Sequence, residues 1–146
     1  MATATSPALP QTEPASSTLK PEEISFPLPK ALHTTAHIHL TSFGQCAMVF
    51  LATSTPGDSA GSVKPMGSFV YAMPDRTSPN STISTTLYTT PSSIEYTTRI
   101  AKIVARRIRA PVYVGCSINP NALEQTVEEE MEGLTKIVNT IVERLG

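Results

Sequence analysis

Three histidines are the residues of this chain whose spacing comes closest to a chemical site. His37 and His39 lie two apart in an alternating segment. A strand there would project both imidazoles from one face, a spacing that can serve a metal ion. A third ligand would have to come from His33 or a carboxylate, and no second cluster supplies one. We therefore expect structural histidines, and a small metal-dependent enzyme is the third of three functional hypotheses.

The residues needed for covalent or phosphate chemistry are also missing from the sequence. Cys116 follows Gly115 in an apolar segment, but the chain has no Cys-x-x-Cys motif and no nucleophile elbow. Its seven glycines are scattered and form no phosphate-binding loop. Both cysteines, Cys46 and Cys116, are expected to be reduced and buried. We predict a protein without a catalytic site or cofactor that works by binding another protein.

Length and charge are those of one soluble domain. The chain has 146 residues and a net charge of -1, which attracts neither nucleic acid nor an anionic membrane. Its apolar segments are shorter than the roughly 20 residues of a membrane helix, and the N-terminus does not resemble a secretory signal. We expect a cytoplasmic protein with no nucleic-acid or membrane partner.

The composition changes near residue 30. Residues 1–29 are rich in Pro, Ser and Thr and have few large apolar side chains. Such a segment cannot offset the entropy lost on ordering. We expect a disordered tail over 1–29 and one domain over 30–146. Alternating apolar residues near the end of the tail also predict a short edge strand, at Ile24, Phe26 and Leu28.

Five further segments have the apolar pattern of strands. Ala36–Thr41 alternates, as a half-buried strand does. Cys46–Ala52 is apolar at every position, which is expected of a central strand covered on both faces. Together with the edge segment, the count is about six strands. The other three segments are Phe69–Met73, Ile83–Tyr88 and Val112–Ile118.

A first helix is predicted from Ser92 to Arg109. Pro91 suits its first turn, Ser92 and Glu95 form a capping box, and Pro111 prevents continuation. At 100° per residue, one side of this helix is apolar and the opposite side is basic.

The basic side of the first helix is either a solvated face or a patch that meets an acidic partner surface. We expect Ile103 to be exposed beside the basic residues, which favours the patch. The predicted partner-binding residues are Arg99, Lys102, Ile103, Arg106 and Arg109.

A second helix is predicted from Ala122 to Leu145, with Asn121 and Glu124 as its cap. At about 1.5 Å per residue it would span about 36 Å, longer than strands of about 20–27 Å. Its heptad seam therefore packs on the chain's own sheet or, where it overhangs, against another subunit. The predicted core or dimer seam is Val127, Met131, Leu134, Val138, Ile141 and Leu145.

The order and spacing of these segments resemble the proteasome assembly chaperone 4 family over about Thr35 to Met131. None of the shared segments is a catalytic signature, so the resemblance depends on their succession. Its most specific parts are Ser84–Leu87, Ala101–Arg107, Pro111–Val114 and Glu128–Glu132.

The resemblance implies an α+β fold of about six antiparallel strands, forming a β-sandwich or sheet flanked by two helices. It implies a non-catalytic chaperone that forms a heterodimer with a related small chaperone, the third of the same series. That heterodimer promotes assembly of the α-ring of the proteasome core particle by binding an α-type subunit, the fifth. The resemblance further implies no nucleotide or metal cofactor, and a location in the cytoplasm and the nucleus.

The alternative function is a small α/β scaffolding or adaptor module that homodimerises and recruits trafficking or signalling complexes. Co-purification separates the two hypotheses, because the chaperone requires a small partner chaperone and free α-type subunits.

Overall fold

The computed structural model describes residues 21–29, 33–57, 66–78, 80–123 and 125–145. These residues form six strands and two α-helices, which confirms the expected strand count and the α+β class. The elements are β1 Glu22–Pro27, β2 Thr35–Ser42, β3 Ala47–Ser54, β4 Ser68–Pro74, β5 Thr82–Tyr88, α1 Ile94–Ile108, β6 Val112–Cys116, a short 3-10 turn Pro120–Leu123, and α2 Val127–Leu145.

The six strands form one mixed sheet in the order β1-β2-β3-β6-β4-β5. Four neighbouring pairs are antiparallel, but β3 and β6 are parallel, so the expectation of a wholly antiparallel sheet is wrong. The parallel pair arises because α1 carries the chain from edge strand β5 back over β4, and β6 then enters the sheet between β3 and β4. A β-sandwich is not confirmed, since the described strands form a single sheet.

The hydrophobic core lies between one face of this sheet and the two helices. Alternate residues of β2, β3, β4 and β6 point into it, such as Ile38, Val49, Val70 and Val114, each with at most 1% of its surface exposed. Helix α1 contacts β4, β5 and β6, and α2 contacts α1 and β2. Burying each such aliphatic side chain contributes roughly 1.5–3 kcal/mol, so this face holds the helices in place.

Helix α1 begins differently from the prediction. Its N-cap is Ser93, which makes no side-chain capping hydrogen bond. The expected Ser92–Glu95 capping box is therefore wrong. The Ser93 hydroxyl lies 2.9 Å from the Ser68 hydroxyl, which also accepts a hydrogen bond from the Thr90 backbone N–H at 2.9 Å. Tertiary bonds to the start of β4 thus replace a local cap.

Helix α2 also begins later than predicted. Thr126 and Glu129 form a reciprocal capping box: the Thr126 N–H donates to Glu129 Oε1 at 3.0 Å, and the Glu129 N–H donates to Thr126 Oγ1 at 3.2 Å. The expected cap at Asn121 is wrong, because that residue lies in the 3-10 turn, and Glu124 lies outside the described residues. The 19 residues of α2 span about 28 Å, close to the length of the strands.

Strand β1 lies within the segment expected to be a disordered tail. It pairs antiparallel with β2, and Leu28, the residue that follows it, is buried. Glu22 forms an ion pair with Arg144 near the end of α2. Strand β1, which precedes residue 30, is therefore part of the sheet. The predicted edge strand is confirmed. The rest of the expected tail, residues 1–20, lies outside the described residues.

Candidate protein-interaction surface

The sheet face opposite the helices is apolar at its centre, where its large side chains are half-buried. In β3, Ala47, Val49 and Leu51 point into the core, whereas Met48 and Phe50 point to the other side and are half-buried. The uninterrupted apolar segment of this strand predicts burial on both faces. Within the described residues that prediction is wrong, because both helices lie on the same side. We call the second side the open face.

Four aromatic rings form a continuous cluster at the centre of the open face. The rings of Phe50 and Phe69 are nearly parallel, with centroids 6.0 Å apart and an interplanar angle of 4°. Phe69 stacks on Tyr113 at 5.9 Å, and Tyr113 contacts Tyr71 at 4.7 Å. These are the offset and tilted geometries that aromatic pairs prefer. Three adjacent strands, β3, β6 and β4, supply these rings.

A glycine allows the cluster to close over β6. Gly115 pairs with Phe50 on one side and with Phe69 on the other. A Cβ at Gly115 would stand 2.6 Å from Cδ1 of Phe50. The two phenyl rings therefore meet over a position that has no side chain of its own.

A cleft of about 480 Å³ adjoins the aromatic cluster on the β1–β2 side. The side chains of Phe50, His37 and His39, together with Met66, line it. Interface centres are enriched in aromatic residues and methionine, and buried anchor side chains bind in pockets of this kind. The open face thus combines an apolar platform with a cleft beside it.

The predicted histidines line this cleft, but their ring nitrogens bond to neighbouring strands. The His37 imidazole lies between two hydroxyls, with Nδ1 2.9 Å from Ser25 Oγ and Nε2 2.7 Å from Ser54 Oγ. His39 Nδ1 lies 3.5 Å from a Glu23 carboxylate oxygen. Among the described residues, no three His, Cys, Asp or Glu side chains are placed to hold a metal ion.

Neither cysteine forms a disulfide bond. Cys46 is half-buried rather than buried as expected, while Cys116 is buried in β6. Burial raises the pKa of the Cys116 thiol to about 11, which makes it a poor nucleophile near neutral pH. No described helix is long and apolar enough to cross a membrane.

Only part of the predicted basic surface on α1 is free, because Arg99 contacts α2. Arg99 Nη1 lies 4.0 Å from Glu130 Oε1 and 4.0 Å from the Met131 sulfur. Ile103 is partly buried against the core, so the expectation that it is exposed is wrong. Within the described part of the chain, Lys102 and Arg106 are exposed and make no ion pair. Arg109 is exposed at the left-handed C-cap, with φ 55°.

The predicted seam of α2 is buried only in its second half. Leu134, Val138 and Ile141 are at most 2% exposed and belong to the core, and Leu145 packs partly against it. Met131 and Val127 are 42% and 76% exposed, in the first turns of the helix. Ile137, which the seam did not include, is also buried, because a straight helix of 3.6 residues per turn drifts away from a strict heptad.

The open face is the feature that the sequence analysis missed. Phe69, Tyr71 and Tyr113 alternate with the core residues Val70, Ala72 and Val112 in their strands. This alternation between aromatic and small aliphatic residues is the sequence pattern that could have indicated the open face. It distinguishes two faces of different composition, although it does not indicate which face the helices cover.

The chain is similar to known proteins in sequence and in fold. The family model for proteasome assembly chaperone 4 matches residues 35–118, more than half of the chain. No curated protein matches. One similar solved structure is described as a novel chaperone complex for yeast 20S proteasome assembly, with 19% identity, a TM-score of 0.60, and coverage of 86% of this chain and 98% of that chain. At this identity the structural match shows the fold alone. The family match shows that the chain belongs to the proteasome assembly chaperone 4 family.

Proposed function

We propose that this protein is a non-catalytic chaperone that promotes assembly of the α-ring of the proteasome core particle. It acts as a heterodimer with a related small chaperone, the third of the series, and the heterodimer binds an α-type subunit, the fifth. It uses no cofactor and acts in the cytoplasm and the nucleus. Family membership supports the general role, and the open face supports the heterodimer.

The observation that carries the heterodimer is the half-covered aromatic cluster. Phe50, Phe69, Tyr71 and Tyr113 occupy the centre of the sheet, where both faces are normally buried, yet the two described helices cover only one face. Burying apolar surface contributes roughly 25 cal/mol per Å², and Tyr residues are frequent hot spots. A partner that covers this face would bury the second side of β3, a strand whose residues are apolar on both sides.

The partner suited to the open face is itself a sheet with an apolar face. Two sheets pack face to face about 10 Å apart through interdigitating side chains, and an aromatic platform that spans three strands suits this kind of packing. A related chaperone of the same fold would supply such a face. In the assembled heterodimer the two helical layers would then lie on the outside.

The α-type subunit would bind to the outer, helical side. Lys102, Arg106 and Arg109 place exposed positive charges on the α1 part of this side. Exposed ion pairs are individually weak and accelerate association more than they strengthen it. Contacts of this kind suit a chaperone that binds the subunit only transiently.

Charge reversal tests the helical surface. Lys102→Glu combined with Arg106→Glu should weaken capture of the α-type subunit about 10-fold or more and leave the heterodimer intact. Arg76→Glu, which reverses an exposed charge on the β4–β5 turn, is the control and should have little effect. Unchanged capture by the double variant would exclude this surface.

Mass spectrometry of affinity-purified complexes tests the function as a whole. We expect the related small chaperone in about equal amount and α-type subunits in lower amount, with no mature core particle. Recovery of trafficking or signalling proteins in place of both would favour the adaptor hypothesis. Recovery of the chain as a monomer from cells that contain the chaperone would contradict the heterodimer.

A further inference from the structure

The outer edge of β5 is an unprotected sheet edge. Among the described strands β5 pairs only with β4, so within this part of the chain the backbone groups on its other side have no partner strand. Its seven residues, Thr82–Tyr88, contain no charged residue, no proline and no glycine. Ile83 and Leu87 are each 50% exposed, and Tyr88 is 59% exposed. Threonine, isoleucine and tyrosine are all strong strand formers.

The opposite edge of the same sheet is protected. Strand β1 carries Glu22 and Glu23, ends at Pro27, and bonds through Glu22 to Arg144 of α2. Charged residues and prolines are the usual means by which proteins prevent sheet edges from pairing. The contrast indicates that exposure of β5 is specific to this strand and does not extend to both edges of the fold.

The sequence of β5 is complementary to itself in one antiparallel register. If Thr85 lies opposite Thr85 of a second copy, Ile83 lies opposite Leu87, and Ser84 lies opposite Thr86. Every pair then joins side chains of like chemistry, apolar with apolar and hydroxyl with hydroxyl, as favourable cross-strand pairs require. A shift by two residues in either direction would place Ile83 or Leu87 opposite Thr85 and lose this match.

We propose that a second copy of this chain binds at the β5 edge in this register, joining two sheets into one continuous sheet about a two-fold axis at Thr85. In β5, residues 83 and 85 pair with Met73 and Tyr71 and therefore lie on the open face. The two-fold axis is perpendicular to the sheet, so the open faces of both copies point the same way. The proposal does not depend on the heterodimer.

The expected association is weak. A register irregularity between Phe69 and Val70 leaves Leu87 without a partner in β4, so we expect pairing with a second copy to extend no further than residues 83–87. Five residue pairs bury far less than the roughly 1,200–2,000 Å² of a stable interface. The dimer should therefore appear at high chain concentration, and a covalent trap is the suitable probe.

Disulfide trapping tests the register directly, with Cys46→Ser as the background. Opposed residues in an antiparallel pair have Cα atoms about 4.5–5.5 Å apart, within the range for a disulfide. We expect Thr85→Cys to form a covalent dimer under mild oxidation. Ile83→Cys is the matched control: its two copies would lie about 14 Å apart in this register and should cross-link at least about 10-fold more slowly.

A mixed experiment and a charge variant complete the test. Equal amounts of Ile83→Cys and Leu87→Cys should cross-link to each other faster than either variant cross-links alone. Thr85→Lys places like charges opposite each other and should abolish the concentration-dependent dimer in sedimentation velocity. Equal cross-linking of Thr85→Cys and Ile83→Cys, or a dimer that survives Thr85→Lys and is lost in Tyr113→Lys, would overturn the proposal. The latter result would assign self-association to the open face.

Discussion

The phenyl ring of Phe50 lies against the backbone of Gly115, directly over the parallel pair of β3 and β6. These residues are register partners, and a Cβ at Gly115 would come within 2.6 Å of Cδ1 and 2.8 Å of Cε1 of the ring. On the other side of Gly115, Phe69 completes the stack. The central position of the open face is thus filled by the side chains of its two neighbours.

Gly115→Ala should destabilise the protein moderately. The new methyl group would force the Phe50 ring to turn away from Phe69, and overpacking of this kind typically costs about 1–3 kcal/mol. We expect the lower end of that range, because the ring is half-exposed and has room to move outward. Urea unfolding measures the difference. Gly57→Ala, where a Cβ meets nothing within 4 Å, is the control and should change stability by less than about 0.5 kcal/mol.

Gly67→Ala should be much more damaging than Gly44→Ala. Both glycines have positive φ, 78° and 88°, a conformation that costs an ordinary residue about 1–2 kcal/mol. Only at Gly67 would the Cβ also collide with a backbone atom, 2.1 Å from the Cys116 carbonyl oxygen, whereas Gly44 has open space around it. We expect a loss above about 4 kcal/mol for Gly67→Ala. Equal destabilisation of the two variants in urea would contradict this close approach.

Thr126→Ala should lower stability by about 1 kcal/mol, the usual contribution of an N-cap side chain. The Thr126 hydroxyl accepts the hydrogen bond from the Glu129 N–H, which would otherwise lack an intrahelical partner. Asn121→Ala changes the residue that the sequence alone suggested as the cap. It should have an effect below about 0.5 kcal/mol. If Asn121→Ala were the more damaging in thermal unfolding, the assigned start of α2 would be wrong.

Stability should fall in alkaline solution as the Cys116 thiol titrates. Its pKa is raised by burial from 9.0 to about 11. Above pH 9 the unfolded chain loses this proton while the folded chain retains it, so the unfolded state gains stability. The protonated Cys116 thiol therefore makes its full contribution to the free energy of unfolding below about pH 9.0, and this contribution is lost as pH rises to about 11. Burial also raises the pKa of Tyr96, which extends the decline to higher pH.

Cys116→Val removes the contribution of the thiol to this pH dependence. Valine fills a similar volume in a buried strand and does not ionise, so the urea midpoint of this variant should fall less steeply between pH 9 and 11 than that of the wild type. Identical slopes for the two proteins would show that Cys116 does not control the alkaline decline.

Local patterns were sufficient to predict the elements but insufficient to predict how they are arranged. Alternation and apolar runs located the strands, because each pattern follows directly from the period of the backbone. The parallel pairing of β3 with β6 depends on where α1 places the chain after β5, which is a tertiary effect. The start of α2 was missed because Asn121–Glu124 and Thr126–Glu129 are both compatible with a capping box, and only the 3-10 turn distinguishes them.

The candidate surface illustrates the same limit. The apolar residues of β3 predicted burial on both faces, but the described helices cover only one of them. Ile103 was expected to be exposed because the helical wheel of α1 contains no information about α2, which packs beside it. In both cases the missing information is the position of a neighbouring element.

If the open face binds the related chaperone, as we propose, the affinity of Tyr113→Lys for that chaperone should be strongly reduced. Tyr113 contacts both Phe69 and Tyr71, so a lysine there would bury a charge at the centre of the interface. Thr135→Lys, on the exposed side of α2, is the control. With folding of both variants verified by circular dichroism and urea unfolding, calorimetry should show the dissociation constant for Tyr113→Lys raised by about 100-fold or more and that for Thr135→Lys unchanged. A folded Tyr113→Lys variant that binds the related chaperone as tightly as the wild type would exclude the open face as the binding surface.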